Sequence, residues 1–235
     1  MFNFNEFSKH LICSGDLDPD YIFINNVCKK LNWDNKQKAD WIALKSIIYD
    51  SISELEFILD SKSFENVKYG TERRKHKRNS YVFYEAIKES SNPYGGFYEY
   101  FMSLPVDAGK AMKELQKIKG IGPWASWKII DLVSCCLGKN FIFKNLDFRM
   151  AYEYPIRGML LINNIDEKKF KKIDDDTYKK CIDRTYEILG DCLKLKAPPY
   201  GERKINKTNN KTIKGLICEL PKQLMLWGQD LQVAF

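Results

Sequence analysis

Histidine is scarce: His10 and His76 are the only two in 235 residues, and the seven cysteines include no CxxC pair. A structural zinc site or a cysteine-ligated iron-sulfur cluster therefore lacks a convincing set of ligands, and no tightly bound metal or cofactor is expected. Cys13, Cys28, Cys135, Cys136, Cys181, Cys192 and Cys218 are odd in number and scattered, partly within apolar helical stretches, which suits reduced thiols rather than a disulfide framework. No run of about 18 apolar residues is present to cross a bilayer. The opening MFNFNEFSKH lacks the basic, apolar and small-residue zones of a secretory signal. The expectation is a cytoplasmic protein with no membrane partner. Alternation of apolar and polar residues nowhere runs long enough to suggest a sheet.

What remains is a chain with 44% hydrophobic and 14% aromatic residues, enough for a sizeable core. Apolar residues recur at spacings of three and four, so the fold class expected is mainly α. Helices are predicted over 18–31, 36–59, 80–90, 96–103, 107–118, 123–137, 148–154, 176–189 and 211–226. Breakers lie between them at Asn92-Pro93, Leu104-Pro105, Lys119-Gly120, Pro155 and the segment from Ala197 to Gly201. The polar, Lys- and Asp-rich stretch 163–176 reads as an exposed loop. No internal repeat is found.

The net charge of +7 is uneven. Residues 61–78 hold seven Lys or Arg against two Glu, and residues 194–222 hold eight against two. Such surfaces attract polyanions, since each neutralised phosphate releases counterions.

The most informative segment is AGKAMKELQKIKGIGPWASWKIIDLVSCCLG, residues 108–138. Ala108, Ala111, Met112, Leu115 and Ile118 fall on one face of a first helix, and the turn KGIG leads into Pro123, which suits the first position of a second. Ile121 is placed to plug between the two helices. Gly120 and Gly122 permit backbone conformations closed to other residues and leave amides uncovered, so Lys119, Gly120, Ile121, Gly122 and the new helix N-terminus form a candidate phosphate clamp. A potassium or sodium ion at Lys119–Gly122 is a further candidate. On the second helix Trp124, Lys128, Asp131 and Cys135 share a stripe. Lys128 and Asp131 interrupt an apolar helix, so they either pair internally or line a pocket.

This hairpin resembles the helix-hairpin-helix DNA glycosylase superfamily, whose pattern is a hairpin of type LxGIGxxxA, a helix, a short loop and then an essential Asp. The resemblance implies two helical lobes with a cleft between them. It implies one catalytic domain over 1–235, the hairpin at 107–138 and the segment 190–235 packing back on the core. The essential Asp would be Asp147 in KNLDFRM, with Arg149 following; by itself Asp147 also suits a helix cap. Superfamily members that cut the strand carry Lys two residues after the second glycine, where this chain has Trp124.

More narrowly, GIGPWASWKIID is similar to a bacteriophage branch of that superfamily, the amino acid:DNA transferases or alpha-glutamyl/putrescinyl thymine pyrophosphorylases. Their hairpin reads approximately GPWxxxK followed by an acidic residue, here Asp131. YGTERRKHK and the run from APPYGERKIN to ICELPKQLMLWGQD are compatible with it. The branch acts on 5-hydroxymethyluracil in DNA that a separate kinase has pyrophosphorylated, replacing pyrophosphate by an amine from an amino acid or polyamine. The partners implied are DNA, that amine and an upstream hydroxymethyluracil DNA kinase, with the protein itself a monomer. Asp147, or Asp131 in second place, would stabilise the cation formed as pyrophosphate leaves or deprotonate the amine. Arg73, Arg74 and Lys128 would hold the pyrophosphate, with Trp124, Glu219 and Lys222 also at the substrate. Trp124, Trp127, Tyr69 and Phe148 are the aromatics available to face a flipped base, although aromatics at helical spacing more often pack a core. The alternative activity is a monofunctional DNA glycosylase, and a third reading is a DNA clamp without chemistry.

Overall fold

The computed structural model describes residues 19–60, 63–69, 74–142, 146–150 and 153–189. Among them are nine α-helices: α1 Pro19–Lys30, α2 Asn35–Ile48, α3 Ser51–Asp60, α4 Ser80–Ser91, α5 Phe97–Ser103, α6 Ala108–Leu115, α7 Pro123–Leu137, α8 Glu153–Ile162 and α9 Asp175–Leu189. Their only β feature is an isolated parallel bridge between Asp107 and Ile142. The chain is mainly helical, and no described helix is long and apolar enough to cross a membrane. Contacts divide the chain into two compact units, Phe23–Leu146 and a second made of Met1–Ile22 with Asp147–Phe235.

In the Phe23–Leu146 unit the core forms around α2. Eight consecutive residues, Trp41 to Ile48, are buried, so this helix is covered on every side rather than on one stripe. It packs against α7, α5, α3 and α4. Its start is fixed by a capping box: the Asp34 carboxylate accepts from the Gln37 amide at 2.9 Å, and the Gln37 side chain accepts from the Asp34 amide at 3.0 Å. Its end is a correction to the single helix predicted over 36–59. Tyr49 turns left-handed at φ 52°, and Asp50 accepts from the Ser53 amide at 3.0 Å, starting α3 afresh.

The hairpin helices are framed at both ends. Asp107 caps α6 through the Lys110 amide at 2.8 Å. Beyond α7, which closes on Gly138 at φ 73°, the Ile142 amide donates to Val106 at 2.7 Å and its carbonyl accepts from Ala108 at 3.0 Å. Between them the buried Lys139 ammonium donates to the carbonyls of Phe101, Met102 and Leu104 at 3.3, 2.6 and 2.6 Å. A cation there satisfies carbonyls that the end of α5 leaves without helical partners.

In the unit containing Asp147, α8 and α9 bury Ile156, Met159, Leu160 and Cys181, with Phe148, Ile165, Phe170, Ile173, Tyr178 and Ile182 packed around them. The helix predicted over 148–154 is instead a single 3-10 turn, Phe148–Met150, followed by α8. Pro155 does not end a helix but lies in the first turn of α8, where the missing N–H has no helical acceptor to lose. The loop expected over 163–176 contains a 3-10 helix, Glu167–Lys172, and the first residues of α9. The helix predicted over 211–226, and all of 190–235, lie outside the described residues.

Candidate nucleic-acid interface

The first hairpin helix buries the face that its periodicity requires: Ala108, Ala111, Met112, Leu115 and Ile118 are all inside. Ile121, 3% exposed, fills the space under the turn, and its amide donates to Ile118 at 3.1 Å. A hydrogen bond from Gln116 Nε2 to Ser126 Oγ at 2.9 Å joins the end of α6 to the first turn of α7, and Ser126 Oγ in turn donates to Pro123 O at 2.9 Å. The sequence reading had not found this tie, although both side chains stand beside the glycines.

The two glycines do different work, which corrects the common role given to them. Gly120 has φ 89°, a left-handed conformation, and a Cβ there would overlap the Phe83 ring of α4. Its lack of a side chain is an internal requirement. Gly122 has φ −91° and ψ −174°, extended backbone that any residue adopts, and a Cβ there would meet open space. Among the described residues nothing asks for glycine at 122. As the N-cap of α7 it supplies no side-chain acceptor, and the first amides of a helix have no carbonyl one turn behind them. Pro123 is exposed, Trp124 half-buried and Lys119 exposed. A bare, outward N-terminus of this kind is suited to an anionic oxygen.

These geometries predict opposite outcomes for the two alanine variants. Gly120→Ala is expected to lose about 2–4 kcal/mol of stability, from the left-handed backbone and the displaced Phe83 ring. Gly122→Ala should leave the melting curve almost unchanged while weakening duplex DNA binding about tenfold, the scale of one lost hydrogen bond to a charged group. Thermal melts and fluorescence anisotropy on both variants check the pair.

The outer face of α6 carries a feature the sequence reading passed over. Lys110 and Lys113 on α6 and Lys117 in the turn just beyond it are exposed at spacings of three and four and run toward exposed Lys119. Among the described residues Lys117 pairs with Glu114 at 2.6 Å, and that pair is open to water. Replacing the three lysines by Gln should lower the salt dependence of DNA affinity, log K against log salt, by about 2–3 units of slope. A binding titration from low to moderate salt measures this directly.

Along α7 the two charges are inside: Lys128 is 8% exposed and Asp131 3%. Cys135 belongs to the same stripe, its thiol 3.0 Å from the Asp131 carbonyl and 4.0 Å from Oδ1. Of the aromatics, Trp127 is 0% exposed and Tyr69 is buried with its hydroxyl donating to Phe64 O at 3.1 Å, so both pack the interior and neither is presented to a base. Phe148 packs against the α8–α9 core. Trp124, also in the hairpin, is half-buried, its ring edge-on to Tyr49 at 4.8 Å.

Asp147 belongs to the other unit. Its carboxylate takes Arg149 Nε at 2.9 and 3.1 Å, Arg149 NH2 at 2.7 Å and the Arg149 amide at 2.9 Å. Arg149 also reaches Asp175 at 2.6 Å and lies over the Tyr178 ring at 4.4 Å. Partial burial alone would raise the Asp147 pKa; hydrogen bonds and charge from Arg149, with help from Tyr178, overcome it and hold the group below the usual carboxylate value. Asp147 is thus a carboxylate favoured in its ionised form, and it opens the Phe148–Met150 turn as a cap, with Met150 N donating to its carbonyl at 2.9 Å. That suits a fixed negative charge better than a proton acceptor.

Arg73, Glu219 and Lys222 lie outside the described residues. Arg74 begins the 3-10 turn Arg74–Asn79, which runs directly into α4, and Lys77 and Arg78 of that turn are exposed. The Phe83 ring of α4 covers Gly120, so the same helix that follows the basic turn also supports the hairpin. Compared with known proteins, the chain matches no family model and no curated protein.

Proposed function

We propose that the chain is a DNA-modifying transferase of the helix-hairpin-helix glycosylase type. It binds DNA through the Lys119–Gly122 turn and exchanges the pyrophosphate of a pyrophosphorylated 5-hydroxymethyluracil for the amine of an amino acid or polyamine. The observation that carries the DNA half is Gly122: a glycine for which the described residues supply no conformational or steric reason, at the start of a helix with no side-chain cap and near exposed Lys119. A backbone that must be approached closely from outside supplies the missing reason, and phosphate is the anion such ends accept.

The chemistry rests on the GPWASWKIID stripe and its likeness to the transferase branch. In the reaction the amine nitrogen forms a bond to the exocyclic methylene carbon while the carbon–oxygen bond to pyrophosphate breaks, and the amine proton passes to a base or to water. Positive charge on the base grows as pyrophosphate departs, so an ionised carboxylate lowers the barrier. Asp147 and Asp131 are the two carboxylates for this role, and the lowering of the Asp147 pKa by Arg149 favours charge stabilisation over taking the proton. Lys128, Arg73 and Arg74 are the cations for the leaving group, with Glu219 and Lys222 completing the substrate set. A potassium or sodium ion at the turn would add to the anion site, and no step depends on it.

The deciding experiment incubates the full chain with a duplex bearing pyrophosphorylated hydroxymethyluracil and a mixture of amino acids and polyamines, followed by mass spectrometry of the nucleosides. Release of pyrophosphate with a heavier, amine-bearing thymidine is the expected result. An abasic site would replace the transferase reading by a glycosylase, and unchanged DNA despite tight binding would reduce the protein to a clamp.

A further inference from the structure

Two unusual features of the Phe23–Leu146 unit meet at Trp124. The first is Tyr49, a non-glycine residue held at φ 52°, ψ 42°, a conformation with an intrinsic cost for a side chain of its size. The second is an ion pair with both side chains 0% exposed, Lys45 with Glu54 at 3.8 Å. Burying two charges is a costly way to fill a helix interface, because apolar residues of similar volume do it as well or better. The two features form one ladder. Trp41, Lys45 and Tyr49 lie at successive steps of four along one face of α2 and its cap. Trp41 Nε1 donates to Glu54 Oε2 at 2.6 Å, the Asp50 amide donates to Glu54 Oε1 at 2.8 Å, and Lys45 Nζ donates to Ser51 Oγ at 2.9 Å. The Lys45 ammonium lies 4.4 Å from the centre of the Tyr49 ring, and the same ring packs edge-on with the Trp124 indole at 4.8 Å.

We propose that this ladder is a positioning device for Trp124. Tyr49 is its contacting rung, and the Trp124 indole is thereby held beside the hairpin turn as the surface that a displaced or unpaired DNA base stacks on. The inference rests on the DNA-binding reading of that turn and adds to it the class of ligand met at Trp124, an unstacked nucleobase. Trp124 follows Gly122 by two residues, so a strand held by the turn brings its neighbouring base within reach of the indole. A ring kept on an ion pair cannot swing aside without uncovering buried charge, which is how the ladder would resist the pull of a base leaving its stack.

The test uses the full chain labelled with 5-fluorotryptophan, the Trp124 resonance being assigned with Trp124→Phe. The probes are a 20-base-pair duplex and the same duplex with one unpaired thymine. In the unaltered protein the unpaired thymine should shift the Trp124 line and bind about tenfold tighter than the paired duplex, the scale of one base on an aromatic face. Tyr49→Gly suits the left-handed backbone but removes the rung. It should move the Trp124 line in the free protein, leave affinity for paired DNA within about twofold and abolish the preference for the unpaired base; Tyr49→Phe should restore it. Tyr49→Asn, which also tolerates the backbone, replaces the glycine variant if that one does not fold. A Tyr49→Gly protein that keeps both the Trp124 line and the preference overturns the positioning role alone. An unaltered protein that binds neither duplex overturns the DNA reading beneath it.

Discussion

Lys45→Met should cost the Phe23–Leu146 unit about 3–5 kcal/mol, the range seen when one partner of a buried ion pair is removed. The substitution keeps most of the apolar volume of the lysine stem, so the loss comes from charge rather than from a cavity. Glu54 would remain 0% exposed beside the Trp41 indole and the Asp50 amide, its charge no longer faced by the Lys45 ammonium. A Lys45→Met, Glu54→Gln double variant should recover part of the loss, because an amide in place of the carboxylate carries no charge to strand. Urea unfolding at neutral pH, followed by tryptophan fluorescence, measures both. A Lys45→Met midpoint indistinguishable from that of the unaltered chain would mean that the pair carries no net weight in the core.

Under the proposed transferase reaction, Asp147→Asn should reduce amine transfer at least about a hundredfold while DNA affinity stays nearly constant, the pattern of a contact made to charge that exists only in the transition state. The same variant has a second, independent signature. A carboxylate whose folded pKa lies below its unfolded value stabilises the fold fully at pH above the unfolded value, near about 3.9, and loses that contribution as pH falls through the folded value. Asp147 is of this kind, held down by Arg149 and Tyr178 against its partial burial. The unaltered chain should therefore weaken on acidification below about pH 4, and Asp147→Asn should lack that portion of the acid sensitivity. Side chains about one-third exposed, 34% for Asp147 and 31% for Arg149, keep the effect modest through solvent screening. Acid sensitivity removed with turnover intact would leave Asp147 as a cap and pass the carboxylate role to Asp131.

What could be read from the chain beforehand was whatever is local. The buried face of α6, Ile121 under the turn and Pro123 at the head of α7 all follow from spacing within a dozen residues. The break at Tyr49 was missed for a physical reason: an aromatic residue gives no warning of a left-handed backbone, and the Asp50-Ser51 cap signal lay inside a run whose apolar spacing continued across it. Lys45 and Glu54 were invisible because the stretch Trp41–Ile48, buried all round, has no polar face, so its one lysine reads as solvent-exposed until Glu54 is brought beside it. Pro155 misled for the opposite reason, a strong breaker that happens to fall where a helix tolerates it. At the candidate site, the bond between Asp147 and Arg149 spans two residues and is legible, whereas Asp175 reaches the same guanidinium from 26 positions away. The difference between Gly120 and Gly122 depends on Phe83, 37 residues earlier than Gly120, and only the folded chain brings that ring into place.

Lys139 gives the molecule a covalently attached counterpart of a site-bound ion. Its ammonium joins three main-chain oxygens that in other folds would recruit water or a diffusible cation. A tethered charge does not wash out on dialysis and does not exchange with the buffer. Ionic strength can accordingly be varied at neutral pH without emptying this joint, and in a test of the proposed DNA binding a change in affinity across such a series reports on counterions leaving the nucleic acid rather than on loosening of the α5 terminus.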